Sequence, residues 1–313
     1  MPSDRKILIT GLTGQIGHPV ASFLARDNEV WGVARYSADG SRERAEASGV
    51  HPHVADLETG DYGDLPTDFT HLVHFAAWQG PAPDFDRAIR ANAEATGLLM
   101  AHCRHAEAAL IASTNTVYRP NEDPWHAYLE TDPLGDPTAP HSPTYAVSKV
   151  GQEAVARTMA RALNLPTTIA RINASYGPNG GLPAYHCDAI AAGRAVPLRS
   201  PDQSPYSPIH EDDLAAQVAP LLDAAAAPAT IVNWCGDETV TAEQWCALFG
   251  ERLGVEPELS YYDLPGSQPG SAADPARRRS LTGPCTVGWR DGMVAMLDRR
   301  TGLRPESTHT AGA

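Results

Sequence analysis

Residues 6–17 read KILITGLTGQIG, an apolar run that leads into three regularly spaced glycines. The run predicts a β-strand, and the apolar spacing from Ile16 to Ala25 predicts a helix directly after it. Glycine permits a tight turn whose N–H groups approach a diphosphate, and the helix N-terminus favours negative charge there. Because the turn lies between a strand and a helix, it indicates a dinucleotide site. The residues expected against the dinucleotide are Gly11, Thr13, Gly14, Gln15, Ile16 and Gly17.

Further short apolar runs alternate with helical patterns along the first half of the chain. The strands are expected at residues 30–34, 51–55, 71–77, 109–112 and 167–172, and two of the helices at 86–104 and 144–163. This alternation predicts an α/β protein with a Rossmann-type, doubly wound parallel sheet. The alternation weakens after Pro178, so we expect a smaller C-terminal α/β domain that binds the substrate.

These patterns divide the chain into domains. We expect a dinucleotide-binding Rossmann domain at residues 1–172 and a substrate-binding region at 173–302, of which 206–233 packs back on the Rossmann domain. Residues 303–313 are expected to form a tail. The stretch 267–280 is rich in Gly, Pro, Ser and Arg, and we expect a mobile surface segment there.

Composition excludes several classes of partner. The net charge of -14 argues against nucleic acid and anionic membranes, because the overall field would repel phosphate. No stretch approaches the roughly 20 apolar residues of a membrane span, and the N-terminus lacks the apolar core of a signal peptide. The five cysteines are scattered, which favours reduced thiols in a cytoplasmic protein. The histidines have no carboxylate at ligand spacing, so no metal site is expected.

The end of the second strand bears on the choice of dinucleotide. An acidic residue there accepts a hydrogen bond from the ribose 2′-OH of NAD, whereas an arginine suits the 2′-phosphate of NADP. Here the strand ends Ala34-Arg35-Tyr36-Ser37, without an acidic residue. We therefore expect NADP, with Arg35 as the discriminating residue; NAD, with a solvated Arg35, is the alternative.

Tyr145 and Lys149 stand four residues apart in the expected helix over 144–163, so they share one helix face. A nearby cation, here the lysine with an oxidised nicotinamide, favours the phenolate and should lower the pKa of Tyr145 from about 10. The phenol could then exchange a proton with a carbinol or carbonyl while a hydride moves. This spacing occurs often by chance, but here it follows the fifth strand and a hydroxyl-rich turn at residues 113–118.

At these motifs the sequence resembles the extended short-chain dehydrogenase/reductase family, in its epimerase/dehydratase-like branch, over residues 5–300. The resemblance rests on Gly11/Gly14/Gly17, Asp56-Leu57, His74-Phe75-Ala76-Ala77, Asn92, Thr114 to Tyr118, Tyr145/Lys149, Tyr176-Gly177-Pro178 and Ile209 to Asp213. Together these motifs are specific for the family and much less specific for the reaction.

The resemblance implies roles for individual residues. Thr114 would hydrogen-bond the reacting oxygen, and Lys149 would also hold the nicotinamide ribose. The other implied cofactor contacts are Asp56, Leu57, Ala76, Ala77 and Asn173. Asn92 is either a helix-borne polar contact below the active site or an exposed polar residue. Members of the family often dimerise through the helices expected here at 86–104 and 144–163, which implies a homodimer.

Departures from the family's nucleotide-sugar enzymes bear on the reaction. The 4,6-dehydratases resemble one another in an Asp-Glu pair after the catalytic threonine, where this chain has Asn115 and Thr116, so we do not expect that activity. Ala174 stands where many nucleotide-sugar enzymes carry an asparagine on the diphosphate, and Tyr206 where an arginine commonly grips it. Arg194 or Arg199 could compensate for the missing charge.

We expect an aromatic, histidine-containing pocket for a compact molecule without a nucleotide. Its expected residues are Trp78, Asn115, Tyr118, Ala174, Tyr176, Tyr185, His186 and Tyr206. The alternative for Trp78 is a core residue at the strand end, and for His186 a surface histidine.

The leading hypothesis is an NADP-dependent oxidoreductase in which Tyr145 acts as general acid/base on a small substrate. The alternatives are a sugar or nucleotide-sugar epimerase with tightly bound NAD, and a non-catalytic dinucleotide-sensing protein.

Overall fold

The computed structural model describes residues 4–139, 141–199 and 204–303. Within these ranges the strands are β1 (Lys6–Thr10), β2 (Glu29–Ala34), β3 (Val50–Val54), β4 (His71–His74), β5 (Ala108–Thr114), β6 (Thr167–Ile172), β7 (Ser175–Gly177), β8 (Gly180–Gly181), β9 (Val196–Leu198), β10 (Pro205–Tyr206), β11 (Ile209–His210), β12 (Thr230–Trp234), β13 (Val240–Thr241) and β14 (Leu259–Tyr261).

The helices lie between these strands. They are α1 (Gly17–Leu24), α2 (Ser41–Ala47), α3 (Phe85–Ile89), α4 (Ala95–His102), α5 (Tyr145–Ala162), α6 (Leu182–Ala191), α7 (Glu211–Asp223), α8 (Ala242–Leu253), α9 (Ala276–Thr282) and α10 (Trp289–Thr301). None of the described helices has the length and apolarity needed to cross a bilayer.

The seven-stranded main sheet has the order β12-β6-β5-β4-β1-β2-β3, and every neighbouring pair is parallel. Its central strands are buried on both faces, as expected of a parallel sheet that is covered by helices. The expected Rossmann-type sheet is therefore confirmed. The chain runs outward from β1 to β3 and then returns to β4 on the other side of β1, which opens a crevice at the carboxyl ends of these strands.

Residues beyond β6 are shared between the main sheet and a second lobe. α7 packs against α1, and β12 extends the edge of the main sheet beside β6. The second lobe, which we call the C-terminal lobe, is built mainly from α6, α8 and α10 around a core that includes Trp245, Phe249, Met293 and Met296.

The expected helix over 86–104 forms at residues 85–102, but it is not a regular α-helix throughout. A π-helical turn at Arg90–Glu94 separates α3 from α4. Such turns often mark functional sites, because they displace the side chains of one turn from the regular helical positions.

The expected mobile surface segment at 267–280 is instead ordered against the rest of the protein. Ala272 and Ala273 are buried, and Arg278 in α9 is fully buried, where it pairs with Asp237. The segment passes so close to the 119–134 connection that a side chain on Gly270 would collide with a backbone carbonyl there. We call residues 268–274 the buried segment.

Candidate functional site

A cavity of about 500 Å³ lies over the carboxyl ends of β1, β2 and β4. We call it the groove. Its lining includes all of the predicted turn residues and five of the other predicted cofactor residues. These residues are Gly11, Thr13, Gly14, Gln15, Ile16, Gly17, Arg35, Asp56, Leu57, Ala76 and Ala77.

The glycine turn fits a dinucleotide diphosphate. Gly11 has φ +72°, and a Cβ there would lie 2.6 Å from the backbone nitrogen of Ala76, just after β4. A Cβ on Gly17 would lie 2.3 Å from the carbonyl oxygen of Gly11. Only glycines therefore allow β1, the turn and α1 to approach so closely, and the resulting cradle at the start of α1 is suited to an anion.

Arg35 and Asp56 frame the far end of the groove. The Arg35 side chain is exposed at the rim and forms no ion pair with the described residues. The carboxylate of Asp56 accepts a hydrogen bond from the backbone nitrogen of Glu58 at 3.0 Å, which caps the 3-10 turn at Leu57–Thr59. At this end of the groove, the Arg35 guanidinium therefore has no ion-pair partner among the described residues, and Asp56 holds the neighbouring turn in place.

Thr114, Tyr145 and Lys149 come together beyond the other end of the groove. Thr114 ends β5 and Tyr145 begins α5. The Lys149 ammonium lies 5.9 Å from the centre of the Tyr145 ring and donates a hydrogen bond of 2.7 Å to the carbonyl of Ala112. Gln79, which lines the groove, and Thr114 both act on the Tyr145 hydroxyl, since their side chains lower the pKa of Tyr145.

In the protein alone, the pKa of Tyr145 shifts in the direction opposite to the one expected for a site that also holds an oxidised nicotinamide. Burial raises the pKa of Tyr145, and the hydrogen bonds of Gln79 and Thr114 only partly oppose it. Burial also lowers the pKa of Lys149 to about 7, although the carboxylate of Glu153 raises it. The protein's own groups therefore keep the phenol neutral, because burial disfavours the charged phenolate.

Asn92 is buried and holds the loop after β4. Its Oδ1 accepts a hydrogen bond of 2.7 Å from the backbone nitrogen of Trp78, and its Nδ2 donates to the Trp78 carbonyl and to Ser148 Oγ. Asn92 lies in the π-helical turn, which brings its amide between the β4 loop and α5. The expectation of a helix-borne polar contact fits this position, and the exposed alternative does not.

Glu153 and Gln79 lie beside the tyrosine–lysine pair, although the sequence analysis did not single them out, and Glu153 helps to hold β5 against α5. Ser113 Oγ donates a hydrogen bond of 2.6 Å to Glu153, whose carboxylate also pairs with the buried Arg171 at 2.7 Å. Glu153 lies one helical turn beyond Lys149, and this spacing was the signal that could have found it. The signal for Gln79 was weaker: it directly follows Trp78, which was itself expected to contact the substrate.

Two of the expected substrate residues, Trp78 and Tyr185, line the groove itself. Trp78 is half-buried, and the Arg87 guanidinium lies 5.3 Å from the centre of its ring, so it is not a core residue. Tyr185 is 58% exposed on α6. Both residues therefore border the cofactor groove, and a substrate role remains a prediction.

Other expected pocket residues are buried in the protein interior and do not line the groove. Tyr118 is fully buried, and its hydroxyl donates a hydrogen bond of 2.5 Å to Asn233. Tyr176 is buried against Gly292. His186 is also buried, in contrast to both expectations for it; it accepts a hydrogen bond from Trp245, and burial lowers its pKa to about 4.

The side chains of Tyr206, Asn115 and Asn173 likewise contact other parts of the protein. The Tyr206 ring packs on Trp245 at 5.4 Å between ring centres. The side-chain amides of Asn115 and Asn173 both donate to the carbonyl of Ser271, at 2.9 and 2.6 Å. Asn173 was expected on the cofactor, but it does not line the groove and instead anchors the buried segment.

The positions that were compared with diphosphate-binding residues offer little to an anion. The backbone nitrogen of Ala174 donates to Asn173 Oδ1 at 2.8 Å. Arg199 donates to the carbonyl of Gln268 in the buried segment at 3.0 Å, and Arg194 is exposed. Among the described residues, no three His, Cys, Asp or Glu side chains cluster as a metal site would require.

A family model described as the NAD dependent epimerase/dehydratase family matches residues 7–233. UDP-glucuronic acid 4-epimerase from Bacillus cereus, solved with UDP-glucuronic acid and NAD, is 20% identical with a TM-score of 0.79, and the match covers 96% of this chain and 100% of that chain. UDP-glucose 4-epimerase from Thermus thermophilus, solved with NAD, is 23% identical with a TM-score of 0.78 and the same coverage. The dTDP-glucose 4,6-dehydratase DesIV from Streptomyces venezuelae is 22% identical with a TM-score of 0.77, covering 95% of this chain and 97% of that chain. No curated protein sequence matches the chain.

Proposed function

The chain belongs to the NAD-dependent epimerase/dehydratase family of extended short-chain dehydrogenase/reductases, and we propose that this enzyme moves a hydride between a nicotinamide dinucleotide and a carbonyl or alcohol carbon of a small, non-nucleotide substrate. The observation that carries the proposal is the meeting of Thr114, Tyr145 and Lys149 at the end of the groove. Gln79 connects these residues to the groove, since it lines the groove and its side chain lowers the pKa of Tyr145.

Tyr145 is the proton donor in this proposal. Burial keeps its phenol protonated, so the hydroxyl can donate to a carbonyl oxygen while Thr114 hydrogen-bonds the same oxygen. A bound nicotinamide would supply the hydride. Lys149 adjusts how readily Tyr145 loses its proton, since its own pKa of about 7 lets its charge change near neutral pH.

The lack of a diphosphate-binding set among the described residues supports a compact substrate. Ala174 offers no side-chain donor, Tyr206 packs on Trp245, and Arg199 donates to the buried segment. A substrate diphosphate would lose charge-assisted contacts worth roughly 1.5–3 kcal/mol per hydrogen bond. A carbonyl compound or free sugar needs none of them.

Arg35 supports NADP as the dinucleotide. It lies at the rim of the groove with no ion-pair partner among the described residues, so its guanidinium is available to a 2′-phosphate. Steady-state kinetics with both reduced dinucleotides test this assignment. Equal efficiency with NADH and NADPH would contradict it.

Epimerisation of a nucleotide sugar with retained NAD is the second candidate. It is favoured by the solved structures of similar fold, two of which are UDP-sugar 4-epimerases in complex with NAD. The absorbance spectrum of the purified protein separates the two candidates. Stoichiometric bound dinucleotide favours the epimerase, whereas an empty site that added NADPH fills favours net oxidoreduction.

The substrate class can be tested by thermal-shift screening with carbonyl compounds, free sugars and nucleotide sugars, followed by turnover of the hits. A large shift with a nucleotide sugar would overturn the non-nucleotide assignment. Tyr145→Phe should lower turnover by about 10²–10⁴-fold while dinucleotide affinity is retained. Tyr261→Phe, an exposed tyrosine on β14, is the matched control. Unimpaired turnover in Tyr145→Phe would refute the proton-donor role.

A further inference from the structure

A hydrogen bond joins the glycine turn to the C-terminal lobe. The hydroxyl of Tyr185 on α6 donates to Gln15 Oε1 at 2.9 Å. The Nε2 of Gln15 donates in turn to Ser175 Oγ on β7, at 3.4 Å. One side chain of the turn therefore contacts the second lobe at two points.

Both partners of this hydrogen bond also line the groove. Gln15 lies between Gly14 and Gly17, at the point where the turn presents its backbone N–H groups to a diphosphate. Tyr185 reaches the same point from α6, with more than half of its surface exposed. The bond therefore connects two walls of the groove beside the expected position of the diphosphate.

The β7–β8 hairpin brings the second lobe up to Gln15. Gly180 has φ +138°, and a Cβ on it would lie 2.7 Å from Gln15 Oε1. Gly181 has φ +112°, and a Cβ there would lie 1.9 Å from the carbonyl oxygen of Ser175. Two successive glycines thus bring the hairpin within contact of the Gln15 amide, which restricts where that amide can point.

We propose that the Gln15–Tyr185 pair is a clasp that retains the bound dinucleotide. This inference rests on the proposed function, because it requires a dinucleotide diphosphate on the glycine turn. The dinucleotide can leave only when the hydrogen bond between the two walls opens. Tyr185, expected from the sequence to contact the substrate, then acts on the cofactor.

The dissociation rate of the dinucleotide tests the clasp without any substrate. Protein loaded with NADPH is mixed with excess NADP in a stopped-flow instrument, and the loss of NADPH fluorescence gives the rate. Loss of one neutral hydrogen bond in Tyr185→Phe should accelerate dissociation roughly two- to tenfold. Asp188→Asn is the matched control, since Asp188 lies on the same helix outside the groove and pairs with Arg300. Its dissociation rate should equal that of the wild type.

A double-mutant cycle identifies the partner of the hydroxyl. In a Gln15→Leu background the acceptor is gone, so adding Tyr185→Phe should leave the dissociation rate unchanged. The same acceleration in both backgrounds would show that the hydroxyl contacts the dinucleotide directly, and would overturn the clasp.

The remaining outcomes separate the clasp from the proposed function. If NADPH and NADH bind the wild type and Tyr185→Phe leaves their dissociation unchanged, the clasp alone is refuted. If neither binds the wild type in a fluorescence titration, the proposed function is refuted, and the clasp falls with it because it has nothing to retain.

Discussion

Lys149 should make the stability of this protein depend on pH in a way that a neutral side chain removes. Its ordinary pKa is 10.5, and burial lowers it to about 7. Between these two values the unfolded chain binds a proton that the folded protein does not. The free energy of unfolding should therefore rise with pH across this window, by about 1.4 kcal/mol per pH unit and by up to about 5 kcal/mol in all.

The comparison is between wild type and Lys149→Met, which keeps the length of the side chain and removes the charge. Urea unfolding is measured at half-unit steps from about pH 7 to about pH 9.5, within the window where the two protonation states differ. The difference in unfolding free energy between the two proteins is plotted against pH, so that other groups that titrate in this range cancel. As the pH rises, the free energy of unfolding of the wild type should increase relative to that of the variant. Parallel curves would show that Lys149 stays charged in the folded protein and would refute the reasoning.

Three other predictions concern the support of the site. Glu153→Gln should lower the free energy of unfolding by about 3–5 kcal/mol in urea unfolding, because it leaves the buried Arg171 guanidinium without its counter-charge; a loss below about 1 kcal/mol would contradict this. Gly17→Ala should weaken dinucleotide binding in a fluorescence titration, because its Cβ collides with the backbone of the turn, whereas Gly288→Ala meets no atom within 4 Å and should bind normally. Asn92→Ala should destabilise the apoprotein by about 1–3 kcal/mol in thermal or urea unfolding, because it leaves buried backbone groups of the β4 loop unpaired; unchanged stability would show that the loop is held by other contacts.

The dinucleotide groove could be predicted from the sequence because its determinants are local. The glycine turn, the strand before it and the helix after it are contiguous, and glycine spacing directly reports close backbone approach. Tyr145 and Lys149 share a helix face for the same reason, since four residues make about one turn. The pKa shifts that the fold imposes on them could not be predicted, because burial has the largest effect on both, ahead of Gln79 and Thr114 at Tyr145 and of Glu153 at Lys149.

The pocket residues were predicted less well because their side-chain directions are set by contacts distant in sequence. Tyr118 follows the catalytic strand, yet its ring stacks on Tyr128 and its hydroxyl contacts Asn233, more than a hundred residues away. His186 and Tyr206 both pack on Trp245 of α8. The sequence around His186 and Tyr206 gives no sign that α8 covers them.

The buried segment shows how composition can mislead. Gly, Pro and Ser usually indicate exposed loops, because buried backbone must find hydrogen-bond partners. Here the hydrogen-bond partners come from the 119–134 connection and from β10. The nitrogen of Tyr128 donates to the carbonyl of Ala272, that of Asp274 to Tyr128, and that of Ser271 to Pro205. Small side chains then help the segment to pack, because they let backbones come close.

The buried segment also occupies polar side chains that were expected to contact ligands. Asn115 was expected at the substrate, Asn173 at the cofactor, and Arg199 as a possible contact for a diphosphate. Each donates to a backbone carbonyl of the buried segment. A substrate that used them would first have to break these hydrogen bonds, each worth about 0.5–1.5 kcal/mol net, and would leave the carbonyls unpaired. Under the proposed function, a small carbonyl compound would use the hydroxyls of Thr114 and Tyr145 and would leave these hydrogen bonds intact.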